Sequence, residues 1–289
     1  MSAIDDAAIA NQRVLNSPRL TLVIPTFNER DNITALLGQL AAALPADDTE
    51  IVFVDDSTDD TPRVIERALS ALAVPVTVHH RGDRHGGLGG AVVEGMRLAR
   101  GAWVVVMDAD LQHPPALVPD LVSAGWNTGA DLVVASRYAA GGGRDGLSGG
   151  YRRLVSRAST LVAKLIFWRA LAQVSDPMSG FFAVRAAAVD AGQLQPLGYK
   201  ILLELIVRAR PARIVEVPYT FQPRLAGESK SSLREGLRFL RHLVILRLGS
   251  AGARTRTAAL RDFNEAALLI RQQGYCQVST RLVNVLALR

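Results

Sequence analysis

The feature that most constrains this chain is an alternation of short apolar runs with stretches of helical period. The runs are "LTLVI" (20–24), "EIVFV" (50–54), "VPVTV" (74–78), "WVVVM" (103–107) and "DLVVA" (131–135). Between them, residues 29–43, 59–72, 88–99 and 116–124 carry the helical pattern, and Pro62 stands where the first turn of a helix tolerates proline. Near-continuous Val, Ile and Leu runs are the mark of strands buried on both faces, as in a parallel sheet covered by helices. The repeated alternation predicts a doubly wound α/β fold with a mostly parallel sheet. Ligands of such sheets bind beyond the carboxyl ends of the strands. The polar clusters obey that rule: "PTFNE" (25–29), "DDSTDD" (55–60), "DADLQ" (108–112) and "SRY" (136–138) each follow a predicted strand. All four are predicted to meet at one sheet edge, whereas acid-rich loops placed at random would scatter over both.

Beyond Tyr138 the rhythm changes. The glycine-rich "AAGGGRDGLSGG" (139–150) leads to a predicted helix at 151–168, then "VSDPMSGFFAV" (174–184), a helix near 200–208 and a strand "RIVEV" (213–217). The loop "RLAGESKSS" (224–232) precedes an amphipathic helix, and beyond about residue 252 the tail reads as polar and weakly helical. No uninterrupted apolar run approaches the roughly 18–20 residues that span a bilayer. The start, "MSAIDDAAIANQR", lacks the basic and apolar segments of a signal peptide. A lone cysteine, Cys276, excludes an intramolecular disulfide and fits a reducing compartment.

Charge is divided unevenly. Residues 1–204 hold 18 Lys and Arg against 22 Asp and Glu, while residues 205–289 hold 15 against 5. A basic C-terminal third points to an anionic partner, whether nucleic acid, a phosphorylated substrate or an acidic lipid surface; a solvated basic face is the plain alternative.

Asp108 and Asp110 end an apolar run one residue apart. If the chain is still extended there, both side chains point to one side, with Gln112 next in line. Like charges so close disfavour each other unless a cation sits between them. Mg²⁺ or Mn²⁺ takes such oxygen ligands, commonly one or two carboxylates completed by substrate phosphates and water. A turn with aspartates capping a helix is the competing explanation. No GxxxxGK[ST] occurs, which argues against a P-loop enzyme. "HGGLGGAVVEG" (85–95) follows the third strand rather than the first and has Val92 where a dinucleotide fingerprint needs a small residue. Its glycines fit close backbone approach or a helix start.

The motifs "IPTFNE", "VDDSTDDT", "MDADLQHPP", "SRY", "DPMSGFF", "GYKILLE" and "GESK" occur in that order. Over residues 18–248 the chain resembles the family-2, GT-A-fold glycosyltransferases, and most closely the polyprenyl (dolichyl) phosphate mannose synthases. The resemblance implies a catalytic domain over 18–249, with a nucleotide-sugar half at 18–136, an acceptor half at 137–249, and a tail of unassigned role at 250–289. It implies that Pro25, Phe27 and Glu29 meet the base and ribose, with Phe27 replacing the usual tyrosine. Asp55 is implied as an acid beside them; this loop is one residue shorter than the common "VDDGSTDGT", so Asp56 competes for that place. Asp108, Ala109, Asp110 and Gln112 match the diphosphate positions, and Asp108, Asp110 and Gln112 the metal positions. Arg137, Arg152 and Ser156 match residues that meet the acceptor phosphate and, with Asp110, make the implied catalytic set. Lys200 and Arg224 match donor-side cations, and residues 227–230 a mobile loop over the site.

The implied reaction moves mannose from GDP-mannose to a polyprenyl phosphate with inversion, using Mg²⁺ or Mn²⁺. A UDP-dependent glucosyl or other hexosyl transfer to the same lipid stays open. Arginine suits a phosphate acceptor because its planar fork binds phosphate bidentately. An acceptor already ionised near neutral pH needs no strong base, and His113 is expected to be structural. Asp176 fits either an orienting role or a turn cap. In the helix 231–249, Leu233, Leu237, Leu240, Val244 and Leu248 form one face beside Arg234, Arg238 and Arg241. That pattern suits a helix lying in an anionic membrane interface, or one packed on the core. The expected location is the cytoplasmic face of a membrane, held peripherally or through a separate membrane protein. A non-catalytic basic binding protein is the rival from another class. Nucleic acid is disfavoured because no basic groove interleaved with aromatics is evident.

Overall fold

A computed structural model describes residues 19–69, 72–143, 150–196, 200–223, 233–249 and 256–259. Within these, the side chains of 150–157, 233–235, 237–238, 248–249 and 256–259 are not described. The strands are β1 (Leu20–Thr26), β2 (Thr49–Asp55), β3 (Val76–His80), β4 (Trp103–Val106), β5 (Leu132–Ser136), β6 (Phe182–Arg185), β7 (Arg213–Pro218) and β8 (Arg256–Ala259). Helices α1 (Arg30–Ala43), α2 (Thr61–Ala68), α3 (Gly87–Leu98), α4 (Val118–Thr128), α5 (Gly150–Ile166), α6 (Trp168–Leu171), α7 (Ile201–Ala209) and α8 (Leu233–Gly249) cover both faces. The sheet order is β3-β2-β1-β4-β6-β5-β7-β8.

Every residue of β1, β2, β4 and β5 is buried, as their unbroken apolar runs require. Successive residues serve opposite faces. Leu22, Ile24, Ile51, Phe53 and Val105 join one core cluster, while Val23, Val52, Val54, Val104 and Val106 join the other. Gly125 lets α4 close onto the sheet, since a Cβ there would lie 2.2 Å from the Trp103 ring.

Two strands were not anticipated. β6 is only four residues long and runs antiparallel between β4 and β5. Reversal puts its leading segment, residues 176–180, at the edge where β4 and β5 end. β8 pairs in parallel with β7, so Arg256–Ala259 departs from the weakly helical pattern read for the tail. α2 stops at Ala68 rather than near residue 72.

The chain from β1 through β2 to β3 builds outward in one direction, then β4 is placed on the other side of β1. The connections diverge between β1 and β4, opening the crevice in which open α/β sheets bind ligands. At the opposite edge the acids are tied down. Glu50 accepts hydrogen bonds from Thr21 and Arg100, and Asp131 pairs with Arg185 and caps the Ala212 amide. Glu204 of α7, fully buried, meets Arg208 at 2.8 Å and His242 of α8 at 3.1 Å, which fastens α8 to α7.

The amphipathic helix packs on the core through residues other than the apolar face marked in its sequence. Phe239, Leu243 and Leu246 of α8 are buried in the core, while Leu240 and Val244 are 51% and 57% exposed. Among the described residues no helix is long and apolar enough to cross a membrane.

Candidate active site

The loops after β1 and β2 clip together. Asn28 adopts φ 58°, a left-handed conformation that asparagine tolerates. Its amide donates to Ser57 Oγ at 2.8 Å, and its Oδ1 accepts from Thr58 N at 2.8 Å. The Glu29 amide donates to Thr61 Oγ1 at 3.0 Å, and the Glu29 carboxylate accepts from Asn32. Pro25 is buried in β1 opposite Val54, and Phe27 lies half-buried beneath the Arg84 guanidinium, 5.0 Å from the ring centre.

Asp55 and Asp56 take different parts. Asp55 is wholly buried and accepts from Thr26 Oγ1 (2.7 Å), Ser57 Oγ (2.6 Å) and Ser57 N (3.1 Å), with His80 Nδ1 at 2.6 Å. Asp56 pairs with Arg81, whose Nε lies 2.7 Å from Oδ1 and whose Nη2 also donates to Gly87 O. The glycines of 86–90 serve mainly as a helix start: Gly86, at φ 75°, caps α3.

The chain does not stay extended through Asp108 and Asp110. β4 ends at Val106, and Leu111 adopts φ 62°, so strand alternation is not what gathers these side chains. A leucine in the left-handed region costs about 1–2 kcal/mol, and Leu111 is anchored by burial in the core. The turn leaves Asp108 35% exposed and Asp110 buried, with Asp110 Oδ1 accepting from the Gln112 amide at 3.1 Å. Gln112 Nε2 donates to Gln222 O at 3.1 Å, and its Oε1 is an oxygen of the kind a hard cation takes. Ala109, between the two acids, is buried in the core. Gly180 of the loop before β6 makes room, since a Cβ there would stand 3.2 Å from Asp108 Oδ2.

Two carboxylates and an amide carbonyl are hard oxygen donors of the kind Mg²⁺ and Mn²⁺ take. Among the described residues no cluster of three or more His, Cys, Asp or Glu could hold a metal. That donor set fits a cation whose shell is completed by substrate phosphate and water. His113 is a support: buried, stacked on Phe181 with ring centres 5.0 Å apart, it accepts from the Asp108 amide at Nδ1 (3.0 Å). Burial pulls its pKa down to about 4, so it is neutral at pH 7.

Across β6, the end of β5 presents Arg137. Its Nε and Nη2 meet the buried carboxylate of Asp176 at 2.7 and 2.9 Å, and its amide donates to the same group at 3.2 Å. Burial alone would lower the Arg137 pKa, but the hydrogen bond and charge of Asp176 raise it further. Asp176 is held in turn by Glu216 of β7, which accepts from the amides of Ser175 and Asp176. Burial raises the Glu216 pKa. Ser136 Oγ and Ser175 Oγ, 2.6 Å apart, complete the lattice. Lys200, partly buried at the start of α7, has its pKa lowered to about 8, first by burial and then by Arg137. The charges of Asp176 and Asp108 oppose that shift, so this amine senses both halves of the site.

The strand ends thus bring together Pro25, Phe27, Glu29, Asp55, Asp108, Ala109, Asp110, Gln112, Arg137 and Lys200 along one edge. Arg152 and Ser156 lie in the part of α5, residues 150–157, whose side chains are not described, and Arg224 and residues 227–230 lie outside the described residues. Sequence reasoning did not single out Glu216, His80 or Arg81, and left Asp176 as one option of two. A signal existed for the pair on β3 and its loop: the strand-end rule applied to four strands applies equally to the third, which ends in "HHR".

The family model for glycosyl transferase family 2 matches residues 21–191, a stretch that holds this whole arrangement up to the start of α7. The chain belongs to that family. It is a glycosyltransferase with a GT-A-like fold. A dolichol-phosphate mannosyltransferase of Pyrococcus furiosus is 39% identical over 225 residues, covering 78% of this chain and 62% of that protein. The chain therefore spans under two thirds of that relative's length. The dolichol-phosphate mannosyltransferase of Saccharomyces cerevisiae is 35% identical, covering 81% of this chain and 88% of that one. Glucosyl-3-phosphoglycerate synthase of Mycobacterium tuberculosis, solved with Mn²⁺, UDP and glucosyl-3-phosphoglycerate, shares the fold at 20% identity and TM-score 0.55, covering 84% of each chain.

Proposed function

We propose that this glycosyltransferase moves mannose from GDP-mannose to a dolichyl-type polyprenyl phosphate, giving polyprenyl phosphate mannose and GDP. The observation that carries the proposal is the buried Arg137–Asp176 pair standing across β6 from Asp108. A guanidinium held in this way is aimed before any ligand arrives and suits a phosphate bidentately. The relatives named as dolichol-phosphate mannosyltransferases support the same choice of acceptor and sugar.

Asp108, Asp110 and Gln112 are the residues that would hold Mg²⁺ or Mn²⁺. Such a cation, when bound, neutralises charge on the leaving diphosphate. Arg137 orients an oxygen of the lipid phosphate toward the anomeric carbon, and Lys200 places a second positive charge beside Asp108. The phosphate oxygen bonds to that carbon as the carbon–oxygen bond to the diphosphate breaks, so attack from the opposite face inverts the α-linked donor to a β-linked product. A phosphate monoester has its second pKa near 6, so the nucleophile needs no general base at neutral pH. The neutral, buried His113 accordingly has no proton to take.

The lipid acceptor calls for a membrane surface. Leu161, Leu165 and Trp168 are 60%, 69% and 62% exposed, and with Leu240 and Val244 they put five large apolar side chains on the α5–α6–α8 face. Leu165, Ile166, Trp168, Leu243, Val244 and Arg247 line a groove of 420 Å³ there. Arg169 lies over the Trp168 ring, and Arg241 and Arg247 are exposed on α8. An apolar face edged by arginines matches the interface of an anionic bilayer and supports a peripheral position on the cytoplasmic face.

The test is a donor panel with purified protein, Mg²⁺, a short polyprenyl phosphate and labelled GDP-mannose, UDP-glucose or UDP-GlcNAc. Label entering the lipid phase from GDP-mannose alone is the expected result. Transfer only from a UDP-sugar would overturn the mannose assignment, and transfer from none would overturn the enzyme's acceptor as well.

A further inference from the structure

Thr26, Asp55 and His80 are register partners on β1, β2 and β3, so their side chains form a row across the carboxyl edge of the sheet. Asp55, at the centre, receives Thr26 Oγ1, Ser57 Oγ and Ser57 N. A carboxylate receiving three such donors stays an acceptor, and the remaining short contact, His80 Nδ1 at 2.6 Å, must be a donated N–H. The bond made by one ring nitrogen decides the state of the other. With the Nδ1 proton committed to Asp55, Nε2 is the ring nitrogen turned toward a ligand. Asp55 is buried while the His80 side chain is 52% exposed, so the ring is fixed at its base and open at its tip.

Place in the sheet tells what that tip meets. The diphosphate end of the donor lies at Asp108 and Asp110 beyond β4, next to β1 at the crevice. β3 stands three strand steps away, roughly 14 Å at about 4.8 Å per step. A nucleoside diphosphate laid along this edge from β4 passes the Phe27 loop and puts its base at the β2–β3 end.

We propose that His80 Nε2 reads the donor's base, accepting the ring N–H of a lactam base, guanine N1–H or uracil N3–H, with Asp55 as the positioning residue that fixes the tautomer. Adenine N1 and cytosine N3 carry lone pairs at the matching place and are rejected, because a site built to pair a hydrogen bond discriminates against a ligand that leaves it unmade. The inference rests on the donor-site assignment above and deepens it by naming the atom that selects the base class.

The experiment is calorimetric titration of GDP, UDP, ADP and CDP, each with Mg²⁺, into wild type, His80→Ala and His80→Gln, with melting temperature recorded for each protein. Wild type is expected to prefer a lactam nucleotide over ADP and CDP, and the GDP and UDP arms distinguish guanine from uracil. His80→Ala should lose about tenfold in affinity for the preferred lactam nucleotide alone, closing the gap to ADP, and His80→Gln, whose carbonyl accepts, should recover part of the preference. An equal loss for all four nucleotides, or an unchanged lactam preference in His80→Ala at an unaltered melting temperature, overturns the role of His80. Failure of wild type to bind any of the four would overturn the donor site itself.

Discussion

The Arg137–Asp176 pair offers the sharpest test of how the β5 side of the site is built. Asp176 is fully buried and the Arg137 side chain 10% exposed, so neither charge has water to fall back on. Asp176→Asn keeps the volume but removes the charge, and its amide turns N–H donors toward a guanidinium that has only donors. Breaking a buried pair by removing one partner costs about 3–5 kcal/mol, because the survivor is left uncompensated. For a domain of this size that corresponds to a melting temperature lower by about 10 °C. Arg137→Met should destabilise by a similar amount, since it strands the carboxylate. The double variant removes both charges and should be more stable than Asp176→Asn alone, with a coupling of about 2 kcal/mol or more in the cycle. Urea unfolding of the four proteins measures it. Asp176→Asn should also cut turnover about a hundredfold by letting the guanidinium drift, even where the protein is folded. A coupling near zero would refute the pairing, and full activity in Asp176→Asn would refute its service to the acceptor.

Three further outcomes follow from the same geometry. Asp110→Ala, or EDTA added to wild type, should lower turnover by about 10²-fold or more with the fold intact, checked by lipid-phase counting and circular dichroism. His113 has its folded pKa depressed to about 4 against 6.5, so the stability it contributes is complete above pH 6.5 and lost as pH falls. Urea unfolding should show that loss as about 2 kcal/mol by pH 5 and about 3 kcal/mol by pH 4. Lys200, with its pKa lowered to about 8, is a cation below that pH and neutral above it, so donor affinity should fall as pH rises through 8. A Lys200→Met variant should lose that pH dependence in the titration of GDP.

What was legible in the sequence was what local periodicity controls. The central strands β1, β2, β4 and β5 had to be buried on both faces, so their apolar runs stood out and their boundaries fell within two residues. Once those strands were located, the strand-end rule gathered Phe27, Asp55, Asp108 and Arg137 without further information. β6 escaped because four residues give no usable period, and "FFAV" is as compatible with a helix as with a strand. The relation of Asp108 to Asp110 was misjudged for a similar reason. Strand alternation was carried past Val106 into a turn, and nothing in "DADLQ" announces that Leu111 takes a left-handed conformation.

The partners of the site were harder to find because they act across the chain rather than along it. Glu216 sits 41 positions after Ser175, and Asp176 39 after Arg137, so no window of sequence contains either interaction. Yet Glu216 carried an unused clue. "RIVEV" sets a carboxylate inside a Val and Ile strand, and burying an acid there is costly unless donors await it. The amides of Ser175 and Asp176 are those donors, and they are available because β6 runs antiparallel. Reversal brings the start of β6, rather than its end, to the edge where β4, β5 and β7 finish. A parallel strand in that place would carry residues 176–180 to the far side of the sheet. Arg137 would then lack its carboxylate, and Asp108 would lose the small residue, Gly180, against which it packs. β6, which periodicity missed, is therefore the strand that joins the Asp108–Asp110 turn to the Arg137 guanidinium.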